Sequence, residues 1–163
     1  MGKSAKRIGE ILIEKGFITE AQLHDALTEQ KLSDKFLGKI LVDKGVIADR
    51  DLIAALAEQF GIPMVELKEQ HIDMELARKF STSLIIDHKC FPLKEDDYSL
   101  TMAIINPLNA VAISKIEEEA HPRKVILVLV AEEDINKIIQ NYRRYISESI
   151  QRLLKKRTME GGR

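Results

Sequence analysis

Few residues in this chain are spaced for catalysis. The four histidines, His24, His71, His88 and His121, are scattered, with no i, i+4 partner and no cysteine pair beside them. No metal site is expected from such a set. Asp87-His88 and Glu117-Glu118-Glu119 read as surface charge rather than as acid and base pairs. The chain holds no Gly-x-x-x-x-Gly-Lys-Ser/Thr loop and no Gly-x-Ser-x-Gly elbow, so neither nucleotide hydrolysis nor serine nucleophile chemistry is expected and the protein is read as a non-enzyme without a cofactor. Cys90 is the single cysteine. It reads as a small buried residue in a reducing compartment.

The residues suited to chemistry are instead ones that occur twice. Arg7 to Gln30 aligns without a gap on Phe36 to Gln59 at an offset of 29 residues, with 11 of 24 positions identical. The identities are Gly9/Gly38, Ile11/Ile40, Leu12/Leu41, Lys15/Lys44, Gly16/Gly45, Ile18/Ile47, Leu23/Leu52, Ala26/Ala55, Leu27/Leu56, Glu29/Glu58 and Gln30/Gln59. Gly9 and Gly38 stand inside helical patterns, where glycine costs about 1 kcal/mol against alanine, so each needs a packing or ligand reason. An amide repeated at one offset, as at Gln30 and Gln59, points to a role beyond solvation.

Each copy must be carried on helix, glycine turn and helix. In the first, Ser4 is expected to cap a helix with an Ile8, Ile11, Leu12 face that stops at Gly16, a residue free to take the left-handed conformation. Thr19 and Gln22 form a capping box for the next helix, which carries Leu23, Ala26, Leu27 and Gln30 on one face. The second copy has Ala48 in place of the capping Thr, with Asp49 and Asp51 complementing the helix dipole. Two such hairpins hold too little core to stand alone, so a second unit should cover them.

That unit follows Gly61-Ile62-Pro63. The pattern predicts an extended run over Met64-Val65-Glu66-Leu67, a helix from Met74 to Phe80, and strands at Phe91-Pro92-Leu93 and Tyr98 to Ile105 joined through Asp96-Asp97. After Asn106-Pro107 it predicts a helix with Val111, Ile113 and Ile116 inward, a buried strand from Val125 to Val130, and a long helix from about Glu132. The fold class is α+β: a four-helix tandem-hairpin subdomain over 1–60 packed on a small α/β subdomain over 61–145, with a C-terminal helix extension over 146–163. That extension keeps an amphipathic pattern through Ile150, Leu153 and Leu154, and ends in the basic run Arg152 to Arg157 before a frayed Glu160-Gly161-Gly162-Arg163.

A formal charge of -1 gives no global attraction to nucleic acid or anionic lipid, so an anionic ligand must be recognised locally. The helices over 19–30 and 49–59 carry His24, Asp25, Glu29, Asp49, Asp51 and Glu58 with only Arg50 basic, which argues against a DNA-reading helix-turn-helix. The N-terminal stretch mixes charges into its apolar positions, unlike a signal peptide, and Met1-Gly2 meets a myristoylation signal only loosely. No run approaches the roughly 20 apolar residues of a membrane span. A cytoplasmic protein without membrane insertion is expected.

Arg7-Ile8-Gly9, Gly16-Phe17-Ile18, Leu23, Leu27 and Gln30, followed by Leu37-Gly38, Gly45-Val46-Ile47, Leu52, Leu56 and Gln59, resemble the paired 24-residue motif of the MshE N-terminal domain family. Those domains front the ATPases of type II secretion and type IV pili. Gln59-Phe60-Gly61-Ile62-Pro63, Ile72-Asp73 and Leu100-Thr101-Met102-Ala103 before Asn106-Pro107 extend the resemblance over about residues 5 to 145.

The resemblance implies a cyclic-di-GMP-binding sensor module, one motif serving each half of the two-fold ligand, with a protein partner in a secretion, pilus or signalling system. Arg7, Leu23, Leu27, Leu52 and Leu56 would offer guanine a flat apolar or guanidinium surface, and Ile8 and Leu37 would lie beside them. Gly9 and Gly38 would let the ribose-phosphate ring approach the backbone near a helix start. Gln30 and Gln59 would reach a base edge or a phosphate, and Asn109 would accept from a guanine N–H. Two departures stand out: Phe36 occupies the position held by Arg7 in the first motif, and Asn106-Pro107-Leu108-Asn109 replaces an often acidic segment. The competing expectation is a docking adaptor that needs no ligand.

Overall fold

The computed structural model describes residues 4–161; the expected fraying at Gly162 and Arg163 lies outside them. Four helices open the chain: α1 (Ile8–Glu14), α2 (Glu20–Gln30), α3 (Leu37–Asp43) and α4 (Asp49–Phe60). Helix α1 starts later than its sequence suggests. Ser4 accepts a bond from the Lys6 N–H at 3.2 Å and caps nothing; the Glu10 carboxylate turns back to accept the Arg7 N–H at 2.8 Å. Gly16 and Gly45 end α1 and α3 at φ of 72° and 69°, a conformation that strains any residue with a Cβ. Thr19 and Gln22 form the expected box, Gln22 N–H to Thr19 Oγ1 at 3.2 Å and Thr19 N–H to Gln22 Oε1 at 2.9 Å. In the second motif Asp51 does the returning half alone, accepting the Ala48 N–H at 3.3 Å.

The main packing runs between the motifs: α1 lies on α4 and α2 on α3. That exchange explains why polar residues repeat. Lys15 of the first motif pairs with Glu58 of the second at 2.8 Å, and Lys44 of the second with Glu29 of the first at 2.8 Å. Gln30 Nε2 donates to the Lys35 carbonyl, just before the second motif, and Gln59 Nε2 to the Lys6 carbonyl, just before the first, each at 3.4 Å. The repeat is therefore a pseudo-two-fold pair closed by reciprocal contacts.

The α/β part contains α5 (Met74–Ala77), β1 (Phe91–Glu95), β2 (Ser99–Ile104), α6 (Ala110–Ala120), β3 (Lys124–Leu129) and α7 (Glu132–Glu160). Strands β1 and β2 are antiparallel, with Phe91 opposite Ala103, and β2 and β3 are parallel across the α6 crossover, with Thr101 opposite Ile126. The expected run at Met64 is a single bridge to Leu129 on the outer side of β3, fixed by Val65 N–H to the Leu129 carbonyl at 2.9 Å and Leu129 N–H to the Pro63 carbonyl at 2.8 Å. The helix expected over 74–80 closes after Ala77. In α6 the buried stripe is Ala112, Ile116 and Ala120; Val111 is exposed and Ile113 half-buried, because small residues let α6 approach the sheet closely.

Helix α7 buries Ile135, Ile138, Ile139 and Tyr142 at helical spacing, and Tyr142 meets Phe91 edge to face at 5.9 Å and 84°. Every residue from Ile150 to Gly161 is exposed. No helix among the described residues is long and apolar enough to cross a membrane.

Candidate functional site

The four short helices enclose one side of a cavity of about 660 Å³, and the α/β part closes it with Ile105, Asn106, Leu108 and Glu132. Its floor comes from equivalent positions of the two motifs. Gly9 lies against Leu23 so closely that an added Cβ would come within 2.7 Å of Leu23 Cδ1, and Gly38 lies against Leu52 at a corresponding 2.3 Å. The in-helix glycines thus have a packing reason: each lets the leucine of its own motif fold over the helix and face the cavity. Leu27 and Leu56 complete the apolar surface, 40% and 6% exposed.

Of the residues singled out from sequence, Arg7, Ile8, Gly9, Leu23, Leu27, Gln30, Phe36, Leu37, Gly38, Leu52 and Leu56 all line this one cavity. Gln59 and Asn109 do not. Gln59 is turned to the Lys6 carbonyl. Asn109 caps α6, its Oδ1 accepting the Ala112 N–H at 3.1 Å, and lines a smaller adjoining cavity of about 190 Å³ with His88, Lys89 and Cys90. Asn106, three residues earlier, is the member of that segment that reaches the main cavity.

Sequence reasoning missed Glu10, Lys35, Lys39, Asp49 and Glu132, which supply most of the wall's charge. Lys35 bonds Asp43 at 2.8 Å, and Lys39 bonds Asp43 at 3.3 Å and Glu132 at 3.5 Å. Glu132 also holds Lys89 at 2.5 Å, and that pairing above all keeps its carboxyl below the usual glutamate value. Asp49 Oδ2 accepts the Glu132 N–H at 2.7 Å, capping the first turn of α7 from the second motif. Burial there pushes the Asp49 carboxyl up. The Arg7 guanidinium has no carboxylate partner among the described residues. A helical i, i+3 step from Phe36 could have flagged Lys39; nothing in the sequence joins Asp49 to Glu132, 83 residues away.

The remaining candidates stay apart from chemistry. Cys90 is buried, and desolvation pushes its thiol up to about 12. Among the described residues no three His, Cys, Asp or Glu side chains cluster as metal ligands would.

Residues 60–149 match the MshEN domain family. The chain belongs to the MshEN domain family. The match begins where α4 ends, so the tandem repeat over 7–59 lies wholly before it. A solved structure of MshE with cdg, cyclic-di-GMP, superposes with a TM-score of 0.74 at 24% identity, covering 84% of this chain and 99% of that one. The N-terminal domain of XpsE superposes at 0.66 with 21% identity, covering 86% and 96%, and in another crystal form at 0.54 with 23% identity, covering 86% and 97%. At these identities the likeness is one of fold, and its coverage extends beyond the residues of the family match. None of the curated proteins matches the chain significantly.

Proposed function

We propose that this MshEN chain is a cyclic-di-GMP-binding sensor module, and that the cavity between its two motifs and the α/β part is the ligand site. The observation that carries this reading is the pseudo-two-fold floor: Gly9 with Leu23 and Gly38 with Leu52 present the same apolar surface twice, as a ligand with two identical halves requires. The volume, about 660 Å³, lies within the range of roughly 300–1,000 Å³ common for ligand pockets. The bases meet leucine side chains there, and Arg7, free of a carboxylate partner, is available to a base face or a phosphate. The neighbouring fold seen in MshE with cdg supports the same ligand.

Calorimetric titration with cyclic-di-GMP, with GTP and ATP as controls, tests this. Saturable one-to-one binding in the micromolar range or tighter, with no comparable signal from either control, is expected. A flat cyclic-di-GMP trace overturns the reading. A second reading, docking of a protein partner from a secretion or pilus machine, is favoured by Ile150, Leu153 and Leu154, exposed along α7 beyond the folded body. It would stand alone if the titration were flat.

A further inference from the structure

The two motifs share a floor and differ in their cations. Arg7 stands on the cavity wall at the head of the first motif, and the equivalent position holds Phe36, 48% exposed on the same wall. A dianionic two-fold ligand therefore meets a guanidinium on one side and an aromatic ring on the other. One helical step on, the pattern reverses. The fourth position of the first motif is Glu10, its carboxylate occupied by the Arg7 N–H, and the fourth position of the second is Lys39. Residues 36 and 39 are i, i+3 neighbours and share a helix face, and both line the cavity.

Lys39 is also the most loosely held lysine of its cluster. Asp43 has Lys35 at 2.8 Å as its nearer partner, against 3.3 Å for Lys39. Glu132 has Lys89 at 2.5 Å, against 3.5 Å for Lys39. Asp49 is committed to the first backbone N–H of α7. Each carboxylate near Lys39 is thus already served by a closer donor, and the Lys39 ammonium can turn to an incoming anion without leaving any of them unpaired. Its side chain is 48% exposed, so the turn needs no repacking.

We propose that Lys39 supplies the phosphate-binding cation of the second motif, in place of the arginine that position 36 lacks, so that the site is apolar and two-fold at its floor but asymmetric in its charges. This inference rests on the cyclic-di-GMP reading above. Arg7 then serves one half of the ligand and Lys39 the other, as a planar donor and a compact charge respectively.

The test is a calorimetric titration of cyclic-di-GMP into wild type, Lys39→Gln and Lys39→Arg across a sodium chloride series, with a thermal melt of each protein. Lys39→Gln is expected to bind about tenfold more weakly and to lose part of the salt dependence, while Lys39→Arg keeps both and all three melt alike. Wild-type affinity and salt slope in Lys39→Gln would overturn the proposal. So would weaker binding with an unchanged salt slope, which marks Lys39 as structural support. Absence of binding by the wild type would overturn the cyclic-di-GMP reading itself, an outcome distinct from the other two.

Discussion

The two motifs share a residue pattern and the same helix, glycine turn and helix, yet they are held in different ways. The second is fastened to the α/β part: Asp49 caps α7, Arg50 reaches Glu66 at 2.5 Å and Asp134 at 3.5 Å, and Lys39 reaches Glu132. Among the described ion pairs and side-chain hydrogen bonds, none runs from the first motif to the α/β part; its polar ties go to the second motif through Lys15–Glu58 and Lys44–Glu29. Burial follows suit. Leu52 and Leu56 are buried, whereas their counterparts are half-buried Leu23 and exposed Leu27. A repeat thus yields one fixed wall and one that leans on it, and a ligand between them would join the free wall to the fixed one.

The contrast is open to direct perturbation. Arg7→Ala, on the free wall, should weaken cyclic-di-GMP binding by roughly 1–3 kcal/mol, the range for a charge-assisted contact in a desolvated site; titration curves equal to wild type would remove Arg7 from the site. Gly38→Ala should cost about 1–2 kcal/mol of stability, because its Cβ meets Leu52 at 2.3 Å and would push that buried leucine off its packing, a loss larger than the helix gains from losing glycine. Gly9→Ala meets Leu23 at 2.7 Å, but that leucine is half-buried and can move, and the helix gains up to ~1 kcal/mol from losing glycine. Urea denaturation should therefore find Gly9→Ala close to neutral and Gly38→Ala clearly destabilised; equal losses would erase the distinction between the walls.

Asp49 gives the comparison a pH signature. Burial raises its folded pKa above the ordinary aspartate value, so its protonated form favours the fold, and that contribution is lost as pH rises through the raised value. Asp49→Asn keeps an oxygen for the Glu132 N–H without the charge. Its melting temperature relative to wild type should rise from acid toward neutral pH, and a difference that does not vary with pH would contradict the assignment. Smaller still is the effect of Phe36→Arg. With Lys39 already on that wall, the new guanidinium should raise affinity only a few-fold; a gain comparable in size to the loss from Arg7→Ala would show that Lys39 does not fill the vacancy.

What the sequence revealed follows from which interactions are local. The repeat, its glycine turns, the Thr19 box and the β2–α6–β3–α7 order were legible because caps, left-handed turns and apolar periods are written within a few residues of one another. Eleven of the residues singled out for a ligand do converge on one cavity, since matched motifs placed by a two-fold axis must face a shared centre. Gln59 and Asn109 lie outside that cavity. Asn109 is taken up by the Ala112 N–H as the cap of α6, a demand invisible until the chain is folded, and Gln59 bonds the Lys6 carbonyl just as Gln30 bonds that of Lys35, yet only Gln30 reaches the cavity. The charged wall of Lys39, Asp49 and Glu132 was illegible because it joins residues far apart in the chain, and Val111 because a stripe of alanines on α6 sets the approach to the sheet.

Most direct is a titration of the isotope-labelled protein with cyclic-di-GMP followed by amide chemical shifts. Gly9 and Gly38 sit at equivalent points of the two floors, and their amides resonate in a thinly populated region of the spectrum. Both are expected to move, saturating together at one ligand per chain, together with the amides of Leu23, Leu52 and Lys39, while those from Ile150 to Glu160 stay still. Shifts confined to one motif, or to the smaller cavity around His88 and Asn109, would contradict a shared two-motif site.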